Sequence, residues 1–198
     1  MRLQTLMMCA VLIVAAHDLA AQEPLPPDTK SSVEANVGNN VLQLRYQMQA
    51  PIQQKSDFDL GVLLAQDRQV VATGALMFDI PHIALSGLQI EIGPQGYLAW
   101  LSGTRKTQIF ALSGGVTARY EVVPQFHVAV FGSAFYSPEI LTFGAANNVY
   151  DFIAGADISF TDRLTVLAGY RWLKFSLDQQ PDDKLQNEVF AGLRWRLK

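Results

Sequence analysis

Only one cysteine occurs in these 198 residues, Cys9. It follows Met8 rather than the small residue a lipoprotein signal needs, and it lies in a stretch that reads as a leader. A processed chain without cysteine excludes a disulfide framework and a zinc–cysteine site. Charge is scarce too: 17% of residues are charged, against roughly 25% in ordinary soluble domains. Apolar residues make up 49%, yet no apolar run approaches the ~18 residues of a spanning helix. From Ser32 onward there is no helical period and no capping box leading into an apolar stripe. A net charge of -3 gives no footing for nucleic acid.

What is present begins with MRLQTLMMCAVLIVAAHDLAAQ. Arg2 supplies a basic start, Leu6 to Ala16 an uncharged core of eleven residues, and Ala20-Ala21 a small-residue cleavage site. Residues 1–21 are therefore expected to be a signal peptide. The Pro-rich QEPLPPDTKS reads as a periplasmic linker over 22–31. Residues 32–198 are left as one barrel domain. Cleavage after Ala21 removes Arg2 and Asp18 and leaves 14 basic against 17 acidic residues, so the net charge is unchanged.

Period two fills that domain. Leu42, Leu44, Tyr46 and Met48 alternate with Gln43, Arg45 and Gln47; Leu88, Ile90, Ile92, Leu98 and Trp100 alternate with Gln89, Glu91 and Gln95. Tyr150, Phe152, Ala154, Ala156, Ile158 and Phe160 oppose Asp151, Ile153, Gly155, Asp157 and Ser159; Leu164, Val166, Ala168, Tyr170 and Trp172 oppose Thr165, Leu167, Gly169 and Arg171. Val189, Ala191, Leu193, Trp195 and Leu197 oppose Gly192, Arg194 and Arg196. Across these runs the apolar face carries no charge. In a soluble barrel that face would point inward. Few lysines on the polar face, aromatics near strand ends and a preceding export signal favour the reverse, an all-β antiparallel transmembrane barrel.

Nine strand-like runs can be counted, where bacterial barrels of this kind have even numbers. The apolar register changes from odd (Val33, Ala35, Val37) to even (Leu42, Leu44) across Gly38-Asn39-Asn40. Gly and Asn tolerate positive φ, so a tight turn there makes a tenth strand. A bulge in one long strand, with another run outside the wall, would give eight. Eight to ten strands are expected, with ten preferred. A bulge is expected at Pro94, which cannot donate to a ladder.

The polar face collects Glu34, Asp57, Asp59, Asp79, Glu91, Glu121, Asp151 and Asp157 against Arg45, Arg119, Arg171, Arg194 and Arg196. Asp151, Asp157, Arg171, Arg194, Arg196, Arg119 and Glu121 are the lumen ion-pair candidates. Two registers around Thr161-Asp162-Arg163 put Asp151 opposite Arg171 or diagonal to it, and both separations allow contact. Structural ion pairs fill small barrels; the alternative use of such a lumen is a narrow conduit for polar solutes. No catalytic residue, cofactor site or metal site is expected. After cleavage only His82 and His127 remain, and His127-Val128-Ala129 lacks a hydroxyl partner.

GSAFYSPEILTF at 132–143, VYDFIAGADI, LTVLAGYRWL and the closing VFAGLRWRL resemble the YfaZ family of outer-membrane proteins. The resemblance runs from Gly87 to the C-terminus, with a fainter match at VEANVGNN. It implies an exported barrel in a Gram-negative outer membrane and brings no catalytic residues. The expected partners are outer-membrane lipid and lipopolysaccharide, with barrel-assembly machinery and periplasmic chaperones during export. No pattern sets an oligomeric state. The loop after Ser137-Pro138-Glu139 is the expected outer contact surface, with 178–188 beside it. The chain departs from many such barrels in ending Trp195-Arg196-Leu197-Lys198 rather than on an aromatic residue.

Overall fold

The computed structural model describes residues 31–49, 56–80, 87–102, 106–177 and 183–197. The expected signal peptide and all but the last residue of the expected linker lie outside these, as does His82. Among the described residues no helix is long and apolar enough to cross a membrane. The regular elements are strands joined by three single-turn 3-10 segments.

In chain order the strands are β1 Ser31–Gly38, β2 Val41–Gln49, β3 Ser56–Ala65, β4 Gln69–Asp79, β5 Leu88–Ser102 and β6 Lys106–Val123. There follow β7 Val128–Ser137, β8 Thr142–Gly144, β9 Ala146–Ser159, β10 Leu164–Leu177 and β11 Asp183–Leu197. Each pairs antiparallel with its neighbours, β5 pairs with β6, and β1 pairs with β11, so the sheet closes on itself. β8 adds no stave. It continues the place of β7 beside β6, pairing Phe143 with Phe110 where β7 has already turned away. The wall is a closed ring of ten staves, and closure leaves no open edge for another chain to pair with.

The Gly38-Asn39-Asn40 link is a tight turn, with Val37 facing Leu42 across it. Glu188 on β11 accepts the Asn40 backbone N–H at 3.2 Å and fixes that turn. Gly144 ends β8 at φ 101, and a Cβ there would stand 2.3 Å from the Gln108 carbonyl oxygen, so only glycine fits. The bulge expected at Pro94 is not formed. The β4–β5 register is the same on either side of it, Ala75 facing Gln95 and Phe78 facing Ile92. Against β6 the pairing runs unbroken through Pro94 and Gly114.

Alternation sorts the side chains as a membrane wall requires. Val37, Ile92, Leu98, Val116, Val130, Val189 and Leu193 are exposed on the outside. Aromatics ring both ends: Trp100, Phe110, Tyr136, Phe143 and Tyr170 at one, Phe78, Tyr120 and Trp195 at the other. The first is the far end; the other, which carries the start of β1 and the finish of β11, is the terminal end. At the far end Tyr136, Tyr150, Trp172 and Phe152 form a run of ring contacts, with centroids 5.1 to 6.0 Å apart. Lys174 points out there, with its Nζ 6.0 Å from the Tyr150 centroid. That is where a long basic side chain can reach the headgroup layer.

Candidate functional site

The lumen has two unlike halves. At the far end it is apolar. Val41, Leu63, Val71, Tyr97, Ala99, Leu101, Ile109, Ala111, Ala146, Val149, Leu173, Phe175 and Leu185 form one buried cluster. They come from β2 to β6 and β9 to β11, and so converge from around the ring. Tyr97 meets Phe175 edge to face at 6.4 Å across the interior. This layer is a plug made from the wall itself.

Directly beneath it lies the most buried ion pair. Arg171 donates to Asp151 through Nε at 2.9 Å and Nη2 at 2.7 Å, and Tyr97 donates its hydroxyl to Asp151 at 3.1 Å. Both charged side chains are only 2% exposed. The register sets Asp151 against Leu173 and Arg171 against Ile153, which is the diagonal of the two arrangements the turn allowed. The Arg171 Nη1 has no partner among the described residues.

The terminal half is polar and holds a chain of charges that crosses the barrel. Asp59 binds Arg45; Arg45 lies 3.6 Å from Glu34; Glu34 accepts from Arg194 at 2.7 Å. Arg194 stands 3.9 Å from Asp157, which accepts from Arg119 at 2.6 Å. Six residues thus link β3, β2, β1, β11, β9 and β6. Two features make room for them. Gly155 is packed under Phe131, and Gly115 under Phe135, so these inward aromatics lie flat on the wall. The remaining space is a cavity of about 510 Å³, lined by Arg45, Asp57, Asp59, Asp79, Glu91, Thr117, Arg119, Ser133, Asp151, Asp157, Arg171, Arg194 and Arg196, among others. Most of the lining comes from the terminal halves of the strands, and Asp79 and Arg196 at its margin are exposed. With the plug above, its shape is a blind cup.

The expected lumen residues fall into two groups. Asp151 with Arg171, and Asp157 with Arg119 and Arg194, come together inside. Glu121 and Arg196 sit at the terminal margin. Glu121 lies 3.4 Å from His127 Nδ1, and Arg196 donates to the Asp162 carbonyl at 3.1 Å. His127 is exposed in the link after β6, with φ 48. Tyr97 was not singled out from the sequence. Its signal is its parity: it shares a face of β5 with Gln95 and Glu91, while Trp100, the girdle aromatic of that strand, has the opposite parity. Among the described residues no three His, Cys, Asp or Glu side chains group as metal ligands.

No curated protein matches the chain. Among solved structures it is similar to a bacterial polysaccharide outer membrane secretin, at 13% identity and a TM-score of 0.49, over 86% of this chain and 64% of that one. It is also similar to the outer membrane channel DcaP of Acinetobacter baumannii, at 10% identity and 0.44, over 88% and 60%. To the KdgM porin in complex with disordered oligogalacturonate it has 13% identity and 0.42, over 85% and 99%. The chain spans less than two thirds of the length of the first two. The model of the family described as YfaZ precursor matches residues 8–197. With a closed ten-stave wall, an apolar outer surface and that match over nearly its whole length, the chain belongs to the YfaZ family and is an outer-membrane β-barrel protein.

Proposed function

We propose that this barrel does not conduct and serves a structural or surface-interaction role in the outer membrane. The observation that carries this reading is the plug: thirteen buried apolar or aromatic side chains meet across the far half of the lumen. An ion passing through them would lose its hydration without gaining polar partners, which is costly. The surfaces left for contact are at the far end, which we take as the cell exterior. There the segment after β7 exposes Ile140 at 81% and Phe143 at 55%.

Purified barrel in a planar bilayer tests the reading. The native protein should be electrically silent, and Tyr97→Ala/Leu173→Ala/Phe175→Ala should show current steps. Steps from the native protein that change with Arg171→Ala would overturn it in favour of a narrow channel. We also read the chain as no enzyme, because the side-chain partner of His127 among the described residues is the Glu121 carboxylate and not the hydroxyl a Ser–His mechanism needs. Release of fatty acid from labelled phospholipid by the pure protein would refute that.

A further inference from the structure

We propose that the cup binds a small zwitterionic solute, of amino-acid or short-peptide type, entering from the terminal end. The argument rests on which charges the cavity can feel. In the ion-pair chain the carboxylates are hidden, with side-chain exposures of 0% for Asp157, 7% for Glu34 and 11% for Asp59. Their partners are not: Arg119 is 35% exposed, Arg45 33% and Arg194 24%. One side of the cup therefore presents guanidinium edges, although the network behind it is balanced.

The wall of β3, β4 and β5 presents the opposite sign. Asp57, Asp79 and Glu91 line the same cavity, and among the described residues no ion pair to them is found. Asp57 accepts from the neutral Gln47 at 3.1 Å and Glu91 from Thr117 at 3.0 Å. Asp79 and Glu91 face each other directly across the β4–β5 pair. Like charges in that position oppose strand pairing, and an ammonium group between them would relieve the repulsion.

A purely anionic ligand would meet the acidic wall, and a purely cationic one the guanidiniums. A molecule with a carboxylate at one end and an amine at the other satisfies both. The cavity of about 510 Å³ lies within the size range of small-molecule sites. The closed far end, on which the non-conducting reading also rests, makes this a place of binding rather than passage.

The test is calorimetric titration of the refolded full-length barrel in detergent with Ala-Ala, N-acetyl-Ala-Ala and Ala-Ala-amide at millimolar concentration. Ala-Ala should bind with one-to-one stoichiometry. Blocking either end should weaken binding about tenfold or more, as expected for loss of a charge-assisted contact. Asp79→Asn and Glu91→Gln remove groups outside the ion-pair chain. Each should weaken Ala-Ala about tenfold while leaving the already weak N-acetyl peptide unchanged, in protein whose heat-modifiable gel mobility is native. No binding of Ala-Ala, capped peptides that bind as tightly as Ala-Ala, or undiminished binding by both variants would overturn the site. A conducting barrel that still binds Ala-Ala this way overturns the closed-lumen reading and leaves the site standing. A silent barrel that binds none overturns the site alone.

Discussion

Removing Arg171 alone should harm this barrel more than removing the whole ion pair. Arg171 supplies two of the three hydrogen bonds to the Asp151 carboxylate, and both groups are 2% exposed. Arg171→Met leaves Asp151 charged, buried and held by the Tyr97 hydroxyl alone. Stripping one partner from such a pair costs about 3–5 kcal/mol. Asp151→Asn leaves the reverse problem, a buried guanidinium that already has one unpartnered nitrogen. The double variant buries no charge and keeps an acceptor for Tyr97, so its loss should be about 1 kcal/mol or less. The assay is equilibrium urea unfolding of the barrel in vesicles, read from tryptophan emission and heat-modifiable mobility. With slopes of roughly 1–3 kcal/mol per molar urea, each single variant should lower the midpoint by about 1 M or more. Single-variant losses that simply add in the double, with coupling below about 0.5 kcal/mol, would refute the account of a mutually dependent buried pair.

Position on the wall should decide the fate of a new arginine. Val166→Arg on the lipid face should cost about 2–4 kcal/mol near the midplane, while Ser133→Arg, which points into the cup, should fold nearly normally; midpoint urea concentrations compare them. Thr165→Arg is not the tolerant control its parity suggests, because Thr165 is 5% exposed and faces Arg194 across the strand pair. Gly155→Ala should destabilise by about 1–3 kcal/mol, since its Cβ would stand 2.5 Å from the Ala168 carbonyl oxygen and 2.6 Å from Phe131 Cζ. Gly114→Ala, with nothing within 4 Å of the added carbon, should stay within about 0.5 kcal/mol in the same assay. Ser137→Ala should speed proteolysis between 138 and 145, because the Ser137 hydroxyl bonds the Leu112 carbonyl at 2.8 Å and the Thr142 hydroxyl at 2.9 Å.

The outer surface could be read from the sequence because hydrocarbon tolerates no exceptions. Strands such as Val189–Leu197 offer it a single unbroken parity, and Val189 and Leu193 are indeed 64% and 53% exposed. The interior was only half legible. Near the end of β5, in Leu98-Ala99-Trp100-Leu101, and near the start of β6, in Ile109-Phe110-Ala111-Leu112, both faces are apolar and alternation carries no contrast. Those two-sided stretches supply Ala99, Leu101, Ile109 and Ala111 to the plug. Asp151 and Arg171 were recognisable as partners, but the turn at 161–163 permitted two registers, and packing rather than spacing selects the diagonal one. β8 escaped notice for another reason. Three residues cannot display a period, and their place beside β6 is set by backbone pairing, with the Ser137–Thr142 hydroxyl contact beside it.

The joint between β1 and β11 dictates when the molecule can be finished. Glu34 and Arg194 stand 160 residues apart in the chain, yet each must find the other for the ring to shut. Until the last strand has left the export path, Glu34 has Arg45 as its neighbour but lacks its second guanidinium, and β1 is a bare edge. Such long-range closure is slow, and an unpaired border invites the wrong neighbour. A chain shortened by its final dozen residues would therefore not make a smaller cylinder; it would leave an unzipped sheet with two sticky margins, a substrate for periplasmic proteases.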